Sequence, residues 1–138
     1  MPDIFADTSG WANFFIRTEP FHLLAKEQMQ SWYKKNARII TSNYVLAELI
    51  ALLTSPLRLP RPRVISTVET IKSAIWVKTV HVDYPLDQEA WNLLKERPDK
   101  EWSMVDCASM VIMKHFHISE TFTSDHHFEQ AGYSITLK

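Results

Sequence analysis

At 138 residues, 46% of them apolar and with five Trp, seven Phe and four Tyr, the chain is long enough for one domain and too hydrophobic to be disordered. Fifteen basic against sixteen acidic residues leave a formal charge of −1, which excludes a global field that gathers nucleic acid or an anionic membrane, so any such contact must be local. The single cysteine, Cys107, excludes an internal disulfide framework and points to a reducing compartment, the cytoplasm.

The N-terminal MPDIFADTSG lacks the basic start and apolar run of a secretory leader. The longest apolar run, near Tyr44 to Leu53, is too short for a bilayer and carries Glu48. Ile4-Phe5-Ala6 reads as a short strand that ends in Asp7-Thr8-Ser9, residues favoured where a helix begins. The only glycines are Gly10 and Gly132, so neither a phosphate-cradling loop nor a flexible linker is present. Between Pro20 and Asn36, Phe21, Ala25, Met29, Trp32 and Tyr33 recur at helical spacing.

Arg38 to Thr41 reads as a second strand, and Ser42 caps a helix that runs to about Thr54. The following LTSPLRLPRPR, with three prolines and three arginines, is expected to stay a loop until Val64, where an amphipathic helix through Val68, Ile71 and Ile75 begins. Trp76 to Val82 is a third predicted strand and Leu86 to Arg97 a helix stopped by Pro98. A nearly all-apolar helix from Ser103 to about His115 is expected to lie buried between layers. Thr121 to Thr123 is a fourth strand, His126 to Ala131 a helical turn or two, and Tyr133 to Leu137 a closing strand. Strands and helices alternating over residues 1–138 predict a single α/β domain whose mainly parallel sheet, of four to five strands, is covered on both faces.

In such sheets functional groups collect beyond the carboxyl ends of the strands. Asp7 ends the first strand, Asp125 follows the fourth, and Asp106 lies in the first turn of the buried helix. Glu48, in the second turn of its helix, joins them only if that helix crosses the sheet edge. Each has a plain structural alternative: Asp7 and Asp125 suit helix starts, Ser103-x-x-Asp106 is a capping-box pattern, and Glu48 suits a solvated stripe. Together, four carboxylates at one edge repel and raise one another's pKa unless a cation neutralises them. All-oxygen ligands select a hard divalent ion, and Mg²⁺ leaves room for phosphate oxygens, so phosphodiester hydrolysis is the natural reaction class.

The ordered blocks FADTSGW, NYVLAE, SMVDCASM and TFTSDHHF resemble the four signature blocks of PIN-domain nucleases, most closely the VapC-like toxins of bacterial toxin–antitoxin pairs. The resemblance implies a three-layer α/β/α fold, Mg²⁺- or Mn²⁺-dependent cleavage of RNA, frequent homodimers, and often a small antitoxin whose tail blocks the site. It assigns Asp7, Glu48, Asp106 and Asp125 as metal-binding and catalytic acids, with Ser9 and Thr123 orienting ligands or waters. The additional acid that many members carry has no clear counterpart here, Asp99 being a distant candidate.

Arg58, Arg61 and Arg63 are candidate contacts for RNA phosphates, set against a simply solvated loop. Of His126 and His127, adjacent on a helix and so pointing apart, one at most should face the site, and His126 is the candidate substrate contact. The spacing His115-x-His117 matches no zinc signature. A phosphatase built on Asp7 as nucleophile needs an acid where Ser9 stands. The alternative from another class is a catalytically silent PIN-like module that binds RNA or protein.

Overall fold

The computed structural model describes residues 2–138. Its centre is a sheet of five parallel strands in the order β3-β2-β1-β4-β5, namely β1 (Asp3–Ala6), β2 (Arg38–Ser42), β3 (Val77–Val80), β4 (Glu120–Phe122) and β5 (Ser134–Ile135). The helices are α1 (Thr8–Phe15), α2 (His22–Lys34), α3 (Asn43–Thr54), α4 (Arg61–Ser73), α5 (Tyr84–Glu96), α6 (Met104–His115) and the single-turn α7 (His127–Gln130). Helices cover both faces of the sheet, giving three layers. Ile4, Phe5 and Ala6 are all buried, as are Ile39, Ile40, Thr41 and Ser42, and consecutive residues are all shielded only when both faces are covered.

The strand order reverses at β1: the chain first builds outward through β2 and β3, then returns to add β4 and β5 on the other side. Crossovers on opposite sides of β1 and β4 open a crevice at their carboxyl ends, the usual ligand position in such sheets. Asp7 and Asp125 flank that point.

Local signals explain most helix starts. Ser42 Oγ accepts the Val45 N–H at 3.1 Å, and Asp83 Oδ1 accepts the Leu86 N–H at 3.3 Å. Helix α5 starts at Tyr84, earlier than Leu86, because Pro85 fits its first turn, where an N–H has no helical partner. The same physics corrects the expected long loop: Pro62 sits in the first turn of α4, so the helix starts at Arg61 and takes Arg63 with it, leaving only Arg58 in the loop. The strands are shorter than their apolar patterns suggest, β3 closing at Val80 and β5 pairing only at Ser134 and Ile135.

An aromatic cluster holds α1 and α2 on the sheet. Trp11 and Trp32 each meet the Phe122 ring edge-on, at centroid separations of 6.5 and 5.3 Å. Trp11 Nε1 also donates to Thr41 Oγ1 at 3.1 Å, which donates onward to the Ala6 carbonyl at 2.9 Å. Those bonds tie the ends of β1 and β2 to the start of α1.

Candidate active site

Helix α1 approaches β4 so closely that only glycine fits in its first turn. A Cβ at Gly10 would lie 2.1 Å from the Phe122 carbonyl oxygen and 2.7 Å from its ring. That approach sets Asp7 against the end of β4, where its backbone N–H donates to the Phe122 carbonyl at 3.2 Å. Asp7 occupies the N-cap position of α1, yet its side chain makes no capping bond. The carboxylate is turned inward, 3% exposed, with Oδ2 accepting the Thr123 hydroxyl at 3.0 Å and Oδ1 buried without a partner.

Thr123 and Ser9 link the two strand ends. Thr123 Oγ1, having given its one proton to Asp7, accepts the Asp125 N–H at 3.0 Å. Ser9 Oγ lies 2.8 Å from it and accepts the Ser124 N–H at 2.9 Å, so the Ser9 proton points at Thr123. Two hydroxyls thus fix the relative positions of Asp7 and the Asp125 loop.

Glu48 reaches the crevice from α3, which packs against both α1 and α6. The Thr8 hydroxyl, one residue after Asp7, donates to Glu48 Oε1. Asp106 arrives from the far side on α6 and is 5% exposed. It completes the capping box, Ser103 N–H to Asp106 Oδ2 and Asp106 N–H to Ser103 Oγ both at 3.0 Å, and still faces the other acids. Capping and a place in the cluster are therefore not alternatives for this residue.

His127, not His126, is the histidine turned to the acids. Its Nδ1 lies 3.0 Å from Asp106 Oδ2 and 3.4 Å from Asp125 Oδ1, and its backbone N–H donates to Asp125 Oδ1 at 2.9 Å. His126 is exposed beside it, the ring centroids 5.0 Å apart. The Asp125 carboxylate accepts the N–H of the first residue of α7, and that bond aims the ring of the residue two positions on. Thr8 and His127 are the groups missed by sequence reasoning. Thr8 had a signal, a hydroxyl beside the strand-end acid; choosing between adjacent histidines required the turn geometry.

The electrostatics express the crowding. Asp7 is pushed up to about 7, first by burial and then by the charges of Asp106 and Glu48. Glu48 is raised too, by burial foremost and by the nearby Asp106 and Asp125. A buried acid with one unpartnered oxygen, facing further carboxylates, fits a hard cation, and Asp106, Asp125 and His127 bring donor atoms within 4.8 Å of one another. Cys107, next to Asp106, is buried and pushed up to about 11 by burial, so it offers no thiolate to a soft metal.

The remaining candidates lie elsewhere. Arg58, Arg61 and Arg63 are exposed beyond the far end of α3, and Arg61 lines a groove with Ile50 and Glu69, away from the acids. Asp99 is exposed and held low by its hydrogen bonds from Arg97, at 3.0 Å, and takes no part in the cluster.

Residues 4–132 match the family model of the PIN domain. The chain is 32% identical over 130 residues to the 23S rRNA-specific endonuclease VapC20 of Mycobacterium tuberculosis, covering 94% of this chain and 95% of that protein. The crystal structure of M. tuberculosis VapC20, described as a sarcin-ricin loop cleaving toxin, superposes with a TM-score of 0.82 at 30% identity, over 94% of this chain and 95% of the other. FitAcB from Neisseria gonorrhoeae shares the fold, with a TM-score of 0.60 at 18% identity over 96% and 95% of the two chains. The geometry at the β1/β4 crevice and these likenesses together make the chain a VapC-like member of the PIN-domain family.

Proposed function

We propose that the protein is a metal-dependent endoribonuclease, the toxin of a bacterial type II toxin–antitoxin pair, acting from one domain over residues 1–138. The observation that carries the reading is the buried Asp7 with its unpartnered Oδ1, facing Asp106 and Glu48 across the crevice. A silent binding module has no use for such a group, which costs folding free energy until a cation meets it.

In this reading Asp7, Glu48, Asp106 and Asp125 hold Mg²⁺ or Mn²⁺. The bound ion supplies charge neutralisation on the scissile phosphate and acidifies the attacking water. Thr123 and Ser9 hold Asp7 and the Asp125 turn in register, and Thr8 holds Glu48. Such pinning removes the reorganisation that the acids would otherwise undergo as the phosphate arrives.

Arg58, Arg61 and Arg63 are exposed and free of carboxylate partners among the described residues, so they are proposed to contact RNA phosphates away from the scissile bond. His126, exposed beside the cluster, is a further proposed RNA contact. The naming of VapC20 makes the sarcin-ricin loop of 23S rRNA the first substrate to try. The cytoplasm is the proposed site of action; no helix among the described residues is long and apolar enough to cross a membrane. A homodimer is proposed as the active form, supported by the exposed apolar side chains of Tyr33 and Ile75 beside Trp76, and sedimentation equilibrium checks it.

The test incubates purified protein with labelled 23S rRNA fragments, with and without Mg²⁺ or Mn²⁺, comparing wild type with Asp7→Asn and Asp106→Asn. Cleavage only with a divalent ion, lost in both variants, is the expected result. Cleavage that persists in EDTA or in both variants would end the proposal. Expression alone should arrest bacterial growth, and co-expression of a short neighbouring reading frame should relieve the arrest; growth unaffected by the active enzyme would remove the toxin role.

A further inference from the structure

The acidic quartet accounts for an oxygen-ligated ion, but not for an imidazole held between two of its members. His127 Nδ1 sits 3.0 Å from Asp106 Oδ2 and 3.4 Å from Asp125 Oδ1. A single N–H serves one of these acceptors well and leaves the other poorly met. Cis ligands at about 2.1 Å from an octahedral ion lie about 3.0 Å apart. The His127–Asp106 distance matches that of neighbouring corners around one cation, the His127–Asp125 distance is a little longer, and all three donor atoms lie within 4.8 Å of one another.

Three features hold the nitrogen in that place. The His127 N–H to Asp125 Oδ1 bond fixes the turn that aims the ring, the Ser103 N–H pins Asp106 from the opposite side, and the ring is only 23% exposed. Independently, Asp7 Oδ1 is buried and unpartnered on the same crevice, across which Asp7 feels the charge of Asp106. We propose that His127 is a direct nitrogen ligand of the catalytic cation, completing the set of Asp106 and Asp125, and that it tunes the site toward Mn²⁺ over Mg²⁺. The inference rests on the metal-site reading above and adds the ligand that reading lacks.

The selectivity follows from ligand chemistry. Mg²⁺ is hard and holds oxygen ligands and water, whereas imidazole nitrogen suits first-row transition ions. Replacing one oxygen corner by nitrogen leaves Mg²⁺ little to gain, while Mn²⁺ gains a bond. In the metal-free protein the Nδ1 proton bridges toward the carboxylates in the ion's stead; a bound ion requires the neutral tautomer with its proton on Nε2, which frees the Nδ1 lone pair.

The test uses the metal-free full-length chain, titrated with Mn²⁺ alone, in protein made with ¹⁴N- or ¹⁵N-histidine. Pulsed EPR on the bound Mn²⁺ should show the hyperfine coupling of a directly bonded nitrogen, changing with the isotope. Because the chain has six histidines, the same spectra are taken on His127→Gln, which should lose the coupling, and on His126→Gln, which should keep it. Calorimetry should show Mn²⁺ affinity falling at least about tenfold in His127→Gln while Mg²⁺ affinity changes less than about threefold. Mn²⁺ bound in an Asp106-dependent manner without nitrogen coupling in the wild type overturns the inference and leaves the carboxylate site standing. Coupling retained in His127→Gln overturns it equally, and no Mn²⁺ binding at all overturns both.

Discussion

Replacing Asp7 by Asn should separate folding from function, because in the absence of metal the charge on this carboxylate works against the fold. The group is buried and its pKa is pushed from 3.8 to about 7, chiefly by burial. At 1.36 kcal/mol per pKa unit, ionising it in the folded state costs at most about 4 kcal/mol above pH 7. The sign is fixed by the direction of the shift. The native state binds the proton more tightly than the unfolded one, so stability is fully present below about pH 4 and is lost as pH rises through about 7. Asp7→Asn removes that loss while its amide oxygen still accepts the Thr123 hydroxyl. In EDTA at pH 8 the variant should be about 1–3 kcal/mol more stable than wild type, or several degrees in Tm for a domain of this size, and the gain should vanish below about pH 4. Mn²⁺ should raise the wild-type Tm strongly and the variant's little, and RNA cleavage should be lost. Thermal melts at the two pH values, with and without Mn²⁺, decide it. A variant less stable than wild type by the same amount at both pH values, or equally stabilised by Mn²⁺, would mean that the Asp7 charge neither opposes folding nor meets the ion.

Gly10→Ala should destabilise by about 3 kcal/mol or more and abolish cleavage, since its Cβ would lie 2.1 Å from the backbone oxygen of Phe122 and must push α1 off β4; denaturant unfolding at near-normal stability would contradict the close approach. Thr123→Val keeps the shape but removes the hydroxyl shared by Asp7 and the Asp125 N–H, so divalent-ion affinity measured by calorimetry should fall about 10- to 100-fold with far-UV dichroism unchanged. Arg61→Ala and Arg63→Ala should each reduce the slope of log K for RNA against log salt by about 0.7 to 0.9, leaving ion binding unaltered. An unchanged slope in the double variant would remove the arginines from the RNA path.

The sequence carried the architecture because helical and extended segments alternate along it, and both-face burial of β1 and β2 left the short apolar runs Ile4-Phe5-Ala6 and Ile39-Ile40. Boundaries were read less well where proline governs. Pro62 and Pro85 look like breakers in a sequence, yet in the first turn of α4 and α5 they cost no hydrogen bond. In the crevice, Asp7 and Asp125 stood out as acids at strand ends, and Asp106 as the one acid of an apolar helix. The part played by Glu48 hung on how α3 crosses the sheet, a tertiary fact that no local pattern encodes. That His127 and not His126 turns to the acids was illegible for a related reason. In a one-turn helix the direction of a ring is set by a single bond, here from the His127 N–H to Asp125, and no periodicity is long enough to report it.

One cation held where the chain's distant acids meet is the heart of the proposed site. Anomalous diffraction from crystals grown with Mn²⁺ should show a peak about 2 Å from carboxylate oxygens of Asp7, Asp106 and Asp125, absent in Asp106→Asn crystals. A fully folded protein with no peak in that crevice, or with Mn²⁺ only at surface groups, would contradict it.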